Sequence, residues 1–249
     1  MYPASTRRLA LLDLKAGLTV AEISRRRGVH RSTIRAWRDH DPGMADPHAC
    51  PRCFEAVELP GVAYAALLGY YLGDGCLSEA ARQVSLRVAC DATLPGIIDD
   101  VTAQVLAVHP ARPVHRVHAP GVVEVQQGWK HWPCLFPQHG PGRKHERPIV
   151  LEDWQRAIVV EHPGDFLRGL FHSDGCRVAN WASRVVDGER RRHDYPRWQF
   201  TNTSEDILGL CGWALDLVDV AWRRSNAKTV SVSRRAAVAA LDDLIGLKS

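Results

Sequence analysis

The chain has 249 residues, room for one large domain or for a small one and a larger one, and 45% of them are apolar, which excludes global disorder. No apolar run reaches the length of about 18 that a membrane span needs. Seven scattered cysteines, too few and too irregular for a disulfide framework, and an N-terminus without a secretion signal fit a reducing, cytoplasmic setting. The net charge of +4 is unevenly spread: residues 1–40 hold nine Lys/Arg against Asp13, Glu22 and Asp39, a net of +6, leaving −2 for the rest. That is the electrostatic footprint of a nucleic-acid-binding segment ahead of a nearly neutral body.

In chain order, Leu9, Leu12 and Ala16 recur at helical spacing and predict a helix over Thr6–Ala16, stopped by Gly17. Val20–Arg27 reads as a second helix, with Thr19 as N-cap and Glu22 three residues later to complete a capping box. Gly28-Val29-His30 is the turn and Arg31–Asp39 the third helix. Ile23, Val29, Ile34 and Trp37 are spaced to share a small core around Gly28. Arg31, Ser32, Arg35 and Arg38 are left for the outer face of the third helix. In a helix-turn-helix that face enters the major groove, where arginine reads guanine with two hydrogen bonds. The segment resembles the resolvase- and homeodomain-like helix-turn-helix units; the alternative is a three-helix cap with a solvated basic face. Asp41-Pro-Gly-Met-Ala-Asp-Pro47 then reads as a linker, and residues 41–63 separate the helical unit from the body.

The body contains a repeat. One apolar helix ends in Gly73-Asp-Gly-Cys76 and another in Ser173-Asp-Gly-Cys176, so Asp74 and Asp174 lie 100 residues apart. Val84–Cys90 and Arg197–Thr201 alternate as strands with one buried face. Leu94–Val108 and Glu205–Trp222 read as helices, Val122–Gln127 and Thr229–Ser233 as extended, and helices near Leu151–Val160 and Arg235–Ile245 close each half. The order α-β-β-α-β-β-α occurs twice, over 64–165 and 166–249. The expected fold is therefore α+β, duplicated within one chain and preceded by a small three-helix domain.

Gly69 and Gly73 sit four apart on one helix face, and so do Gly169 and Ser173. Small residues on facing sides let two helices cross at close range. Such a crossing carries Asp74 and Asp174 to the same end of the pair. Carboxylates held that close repel each other unless a cation sits between them. Hard oxygen ligands favour Mg²⁺-type ions, which activate water against a phosphodiester. An acid at a helix C-terminus also opposes the helix dipole, so its occurrence twice argues for a ligand role rather than capping.

Leu67-Leu-Gly-Tyr-Tyr-Leu-Gly-Asp-Gly75 and Phe166-Leu-Arg-Gly-Leu-Phe-His-Ser-Asp-Gly175 both resemble the LAGLIDADG signature of homing endonucleases, and the similarity covers residues 64 to 249. The resemblance implies a single-chain, monomeric pseudo-dimer with an internal two-fold axis and a saddle of sheets on double-stranded DNA. It implies terminal acids that bind Mg²⁺ or Mn²⁺, and hydrolysis of DNA by a divalent-metal endonuclease. It also implies a basic residue after the second helix of each half; Lys144 and Lys228 are the nearest matches, 70 and 54 residues after their acids. The expected catalytic set is then Asp74, Asp174, Lys144 and Lys228, with Gln199 as a further water-positioning candidate. Leu72 and His172 depart from the signature where the family carries a variable internal acid. A second reading stays open: a transcriptional regulator using an inactive LAGLIDADG-derived scaffold with its helix-turn-helix. Such regulators have typically lost the motif acids, whereas this chain keeps both.

Cys50-Pro-Arg-Cys53 has the spacing of half a zinc site, with His48, His131, Cys134, His139 and His145 available to complete it in space. The alternative is two ordinary cysteines in a linker turn. Cys76 and Cys176 read as small core fillers at strand starts, and Trp129, Trp132, Trp154, Trp198, Trp213 and Trp222 as core. Glu189-Arg-Arg-Arg-His-Asp194 falls between predicted strands, as a hairpin tip that grips phosphates or as a solvated loop.

Overall fold

The computed structural model describes residues 2, 4–39, 50–53, 57–80, 83–186, 188–246 and 248–249. The N-terminal unit is α1 (Ala4–Lys15), α2 (Val20–Arg27) and α3 (Arg31–Asp39). The capping box forms as expected: the Glu22 N–H donates to Thr19 Oγ1 at 3.3 Å, and the Glu22 carboxylate accepts from the Thr19 N–H at 2.7 Å. Gly28 ends α2 in the left-handed region, at φ +64°, where its N–H closes on the Ser24 carbonyl. Ala10, Ile23, Val29 and Ile34 are buried together, with Leu14, Leu18, Val20 and Trp37 packed on them. Arg27 ties α2 to α1 through two hydrogen bonds to Asp13, at 2.7 and 3.1 Å.

The body repeats one arrangement twice. The first half runs α4 (Gly61–Leu72), β1 (Gly75–Ala80), β2 (Gln83–Asp91), α5 (Pro95–Val108), β3 (His115–Ala119), β4 (Val122–Gly128), the short α6 (Trp132–Leu135), a 3-10 turn (Lys144–Glu146) and α7 (Asp153–Glu161). The second runs α8 (Pro163–Asp174), β5 (Gly175–Val186), β6 (Glu189–Thr201), α9 (Glu205–Leu217), β7 (Arg223–Asn226), β8 (Thr229–Val232) and α10 (Arg235–Ile245). Each half has a four-stranded antiparallel sheet, ordered β1-β2-β4-β3 in one and β5-β6-β8-β7 in the other. Among the described residues no helix is long and apolar enough to cross a membrane.

Alternation decides which sheet face is covered. Leu86, Val88, Cys90, Val123 and Val125 are buried on the inner face of the first sheet, as Trp198, Phe200, Val230 and Val232 are in the second. The motif helices fill the centre. Every residue of α4 from Ala63 to Leu72 is buried, because both halves pack around it. Helix α8 is its main partner and crosses it at the glycines. A Cβ on Gly169 would lie 2.9 Å from Gly69 Cα and 2.8 Å from Tyr70 N, so backbone touches backbone there. Beside the crossing, Tyr70 donates to Asp100 at 2.7 Å and lies 3.3 Å from His172 Nδ1, while Arg168 donates to Asp100 at 2.6 Å. His172 thus fills its motif position as part of a polar seam between the halves.

Three sequence expectations change. Helix α9 stops at Leu217, not Trp222, because Asp219 turns the chain at φ +54° and Trp222 instead packs beside Gly212. Residues 189–194 are not a loop but the first half of β6, paired with β5 from Glu189–Val186 down to Asp194–Trp181. Cys76 and Cys176 are exposed, not core. Each lies one residue past its buried motif glycine, and the alternation of the strand turns it to the open face. Of the tryptophans, Trp129, Trp132 and Trp198 are buried, and Trp154, Trp213 and Trp222 pack partly buried against the core.

Candidate active site at the crossing of the motif helices

The tight crossing delivers both acids to one place. Gly73 lies against Ser173, and a Cβ on Gly73 would fall 3.4 Å from Asp174 Oδ2. Ser173 turns its hydroxyl back to the Gly169 and Leu170 carbonyls, at 2.9 and 2.8 Å, and so leaves the end of α8 to Asp174. Asn202, just past β6, donates to Asp174 Oδ2 at 2.6 Å and orients the carboxylate. Burial, and then the neighbouring Asp74 charge, push Asp174 up to about 6 against that hydrogen bond. Asp74 keeps an exposed edge, yet the protein crowding its carboxylate also pushes it above the usual range.

Two lysines answer this negative end. Lys144 Nζ donates to the carbonyls of Tyr71, Leu72, Gly73 and Gly75, at 2.5 to 2.9 Å. Lys248 Nζ donates to the carbonyls of Ser173 and Gly175, at 2.9 Å each. Gly73 and Gly75 correspond to Ser173 and Gly175 in the repeat, so the two lysines hold equivalent places in the two halves. Each satisfies carbonyls left open at a helix C-terminus and offsets the dipole there. Burial lowers Lys144 to about 8 although Asp174 and Asp74 favour its charge, and Lys248 is lowered for the same reason.

Lys144 is where the sequence places it. Lys228 is not: it is exposed in the β7–β8 turn, where its backbone N–H caps onto the Asn226 side chain. Lys248 instead stands beside the acids, 74 residues after Asp174 against 70 from Asp74 to Lys144. That near-match in spacing is the signal that the sequence holds. The motif pattern points instead to the stretch directly after α9, whereas the second half delivers its lysine from beyond α10.

A cleft of about 530 Å³ opens beside the acids. Asp174, Asn202, Thr201 and Cys76 lie on its walls with Lys144, and the loop ahead of and through the 3-10 turn adds His139, Arg143, His145 and Arg147. Gln199 sits on β6 opposite Cys176, on the face turned away from the helices. Arg197, His193, Arg191 and Arg184 continue that face along the hairpin, since Trp198 between Arg197 and Gln199 is buried. In the N-terminal unit Arg31, Ser32, Arg35 and Arg38 are all exposed on α3, and Ser32 Oγ is 2.7 Å from His30 Nδ1.

The N-terminal segment matches the family model of the Homeodomain-like domain over residues 2–45. No curated protein matches the chain in sequence. Among solved structures the chain is similar to the LAGLIDADG meganuclease I-AabMI bound to uncleaved DNA, with 12% identity, 73% of this chain and 82% of that one covered, and a TM-score of 0.46. It is also similar to the N-terminal LAGLIDADG domain of DUF199/WhiA, with 12% identity, 76% and 83% covered, and a TM-score of 0.44. I-DmoI in complex with DNA and Mn is another, with 11% identity, 75% and 98% covered, and a TM-score of 0.45. In class, the chain is a three-helix unit that matches the Homeodomain-like model, joined to an α+β body in which one arrangement of helices around a four-stranded antiparallel sheet occurs twice.

Proposed function

We propose that the chain is a sequence-specific, double-stranded-DNA-binding protein that hydrolyses phosphodiester bonds with Mg²⁺ or Mn²⁺, acting as a monomer about its internal two-fold. The observation that carries this reading is the convergence of Asp74 and Asp174 at one end of the α4–α8 crossing, each pushed above the usual carboxylate range. Like charges crowded in this way fit a divalent cation, and their oxygens are the hard donors it prefers. A cation held by Asp74 and Asp174 would supply an activated water and charge stabilisation at the phosphate. The chain's own residues supply the rest. Asn202 fixes the Asp174 carboxylate, and Lys144, Arg143 and Arg147 offer positive charge along the cleft for phosphate oxygens. The open face of β5–β6 and the outer face of α3 provide basic side chains for groove and backbone contacts.

The test measures binding in EDTA and cleavage in Mg²⁺ or Mn²⁺ on the same supercoiled or genomic DNA. Asp74→Asn and Asp174→Asn are expected to abolish cleavage and to leave affinity intact or raised, because removing a carboxylate beside a phosphate removes repulsion. A wild type that binds specifically yet never cuts, with both variants matching it, overturns the nuclease. The chain is then a regulator built on the same scaffold.

A further inference from the structure

Cys50 and Cys53 stand on a turn ahead of α4, closed by the Cys53 N–H on the Cys50 carbonyl at 3.0 Å. His131 and Cys134 stand on the turn that begins α6, closed alike by the Cys134 N–H on the His131 carbonyl at 2.9 Å. The two turns face each other. Cys53 Sγ lies 3.7 Å from Cys134 Sγ and 3.6 Å from His131 Nδ1, and Cys134 Sγ lies 3.7 Å from the same nitrogen. With Cys50 Sγ, all four atoms lie within 4.8 Å of one another.

These separations have a chemical meaning. A tetrahedron centred on zinc, with Zn–S of about 2.3 Å and Zn–N of about 2.0–2.1 Å, has S–S edges of about 3.8 Å and S–N edges of about 3.6 Å. The three edges among Cys53, Cys134 and His131 agree with both, and Cys50 Sγ completes the set within 4.8 Å. A disulfide would bring two sulfurs to about 2.0 Å, and all the cysteines are free. Three thiolates and an imidazole are a donor set that selects zinc over hard cations, and four protein ligands leave no position open for catalysis. Of the histidines that the sequence offered, His139 and His145 line the acid cleft instead, and His48 lies outside the described residues.

We infer that Cys50, Cys53, His131 and Cys134 form a structural zinc site that clamps the turn ahead of the first motif helix onto α6. The surroundings show what the clamp would brace. Arg52 lies over the Trp154 ring of α7 at 4.4 Å, and Trp154 packs on Tyr64 of α4 at 5.3 Å. Tyr64 donates to the carbonyl of Leu135, the residue after Cys134, and accepts from Gln155 of α7 at 2.7 Å. The zinc would fix the near end of this strut and thereby the entry of α4 into the crossing. The inference does not depend on DNA cleavage.

The full chain, purified with reductant and without chelator, is expected to carry one zinc per chain by elemental analysis. Cys53→Ser and Cys134→Ser should lose it, and Cys176→Ser should keep it. Reconstituting the metal-stripped wild type with Co²⁺ should give the absorption of a tetrahedral site with thiolate charge transfer, displaced by Zn²⁺. This spectrum decides the matter even where a serine variant does not fold. A wild type that takes up no zinc and gives no such cobalt spectrum overturns the site, as does a zinc content unchanged in both variants.

Discussion

At the scale of single residues, the site is governed by charges held where they are least comfortable. Lys144 and Lys248 are anchored by helix-end carbonyls rather than by ion pairs, so each ammonium stays beside the acids without neutralising one of them. On the nuclease reading proposed above, Lys248→Ala is expected to lower cleavage by about 10²-fold or more, on the scale of removing one preorganised donor, while Lys228→Ala leaves the rate at the wild-type level. Single-turnover rates on one DNA substrate compare the two, and equal losses would return Lys228 to the site. A second residue, His109, sets a pH dependence of stability. It is buried against Trp129 at 4.1 Å, with Nε2 lacking a partner among the described residues, and burial, with Arg112 and His131 adding, lowers it from 6.5 to about 4. The unfolded chain binds this proton more readily, so the stabilisation is full above about pH 6.5 and fades as pH falls through about 4. The full effect is on the order of 3 kcal/mol. Urea unfolding of wild type and His109→Gln at pH 7 and pH 5 should show the wild type losing more of its stability on acidification; parallel losses would refute this.

At the scale of elements, the α4–α8 crossing determines where everything else can be. The atoms facing a Cβ on Gly69 include Leu170 N at 2.8 Å and Gly169 Cα at 2.9 Å, which are backbone and cannot rotate aside. Gly69→Ala or Gly169→Ala must push the helices apart, with an expected loss of roughly 1–3 kcal/mol from overpacking. Cleavage should fall further than stability, since separation also parts the acids. Gly209, on α9, has no atom within 4 Å of its missing Cβ. Gly209→Ala should instead be neutral or gain up to about 1 kcal/mol by stiffening the unfolded chain. Thermal melts of the three variants side by side check the contrast. The β5–β6 hairpin is the other decisive element. Its first strand has 12 residues where β1 has 6, and the extra length carries the arginines and exposes Trp181, over which Arg192 lies at 5.3 Å.

At the scale of the whole molecule, charge is divided between a basic N-terminal unit and a nearly neutral body that carries a run of arginines on the β5–β6 hairpin and a second basic group on the cleft loop. Salt dependence separates their shares. Arg31→Ala with Arg35→Ala in the full chain should flatten the slope of log K against log salt by about 0.9 for each phosphate that α3 no longer neutralises, and raise Kd most at low salt. An unchanged slope and Kd would remove α3 from the interface. The two halves share a sheet topology but not a surface, so the duplicated fold presents unlike faces.

The local features were legible because they depend on neighbours in sequence. Thr19 and Glu22 make a capping box wherever a helix starts, Gly28 is free to turn left-handed, and the spacing of Gly69, Gly73, Gly169 and Ser173 marks a face on any helix. The repeat of Asp74 and Asp174, with the same strand and helix order after each, was enough for the duplicated α+β fold. Other features waited for the tertiary structure, since they join residues far apart in sequence through backbone atoms that no motif encodes. Lys248 reaches the site by donating to main-chain carbonyls, which any sequence would offer, so its choice over Lys228 rests on where α10 leaves the chain. The face shown by Cys76 and Cys176 follows from strand register, and the hairpin length from pairing across the turn. Cys50 and Cys53 could be read as half a site from their spacing. Only folding decided that His131 and Cys134, rather than His139 and His145, stand opposite them, because β4 and α6 set the position of one pair and the cleft claims the other.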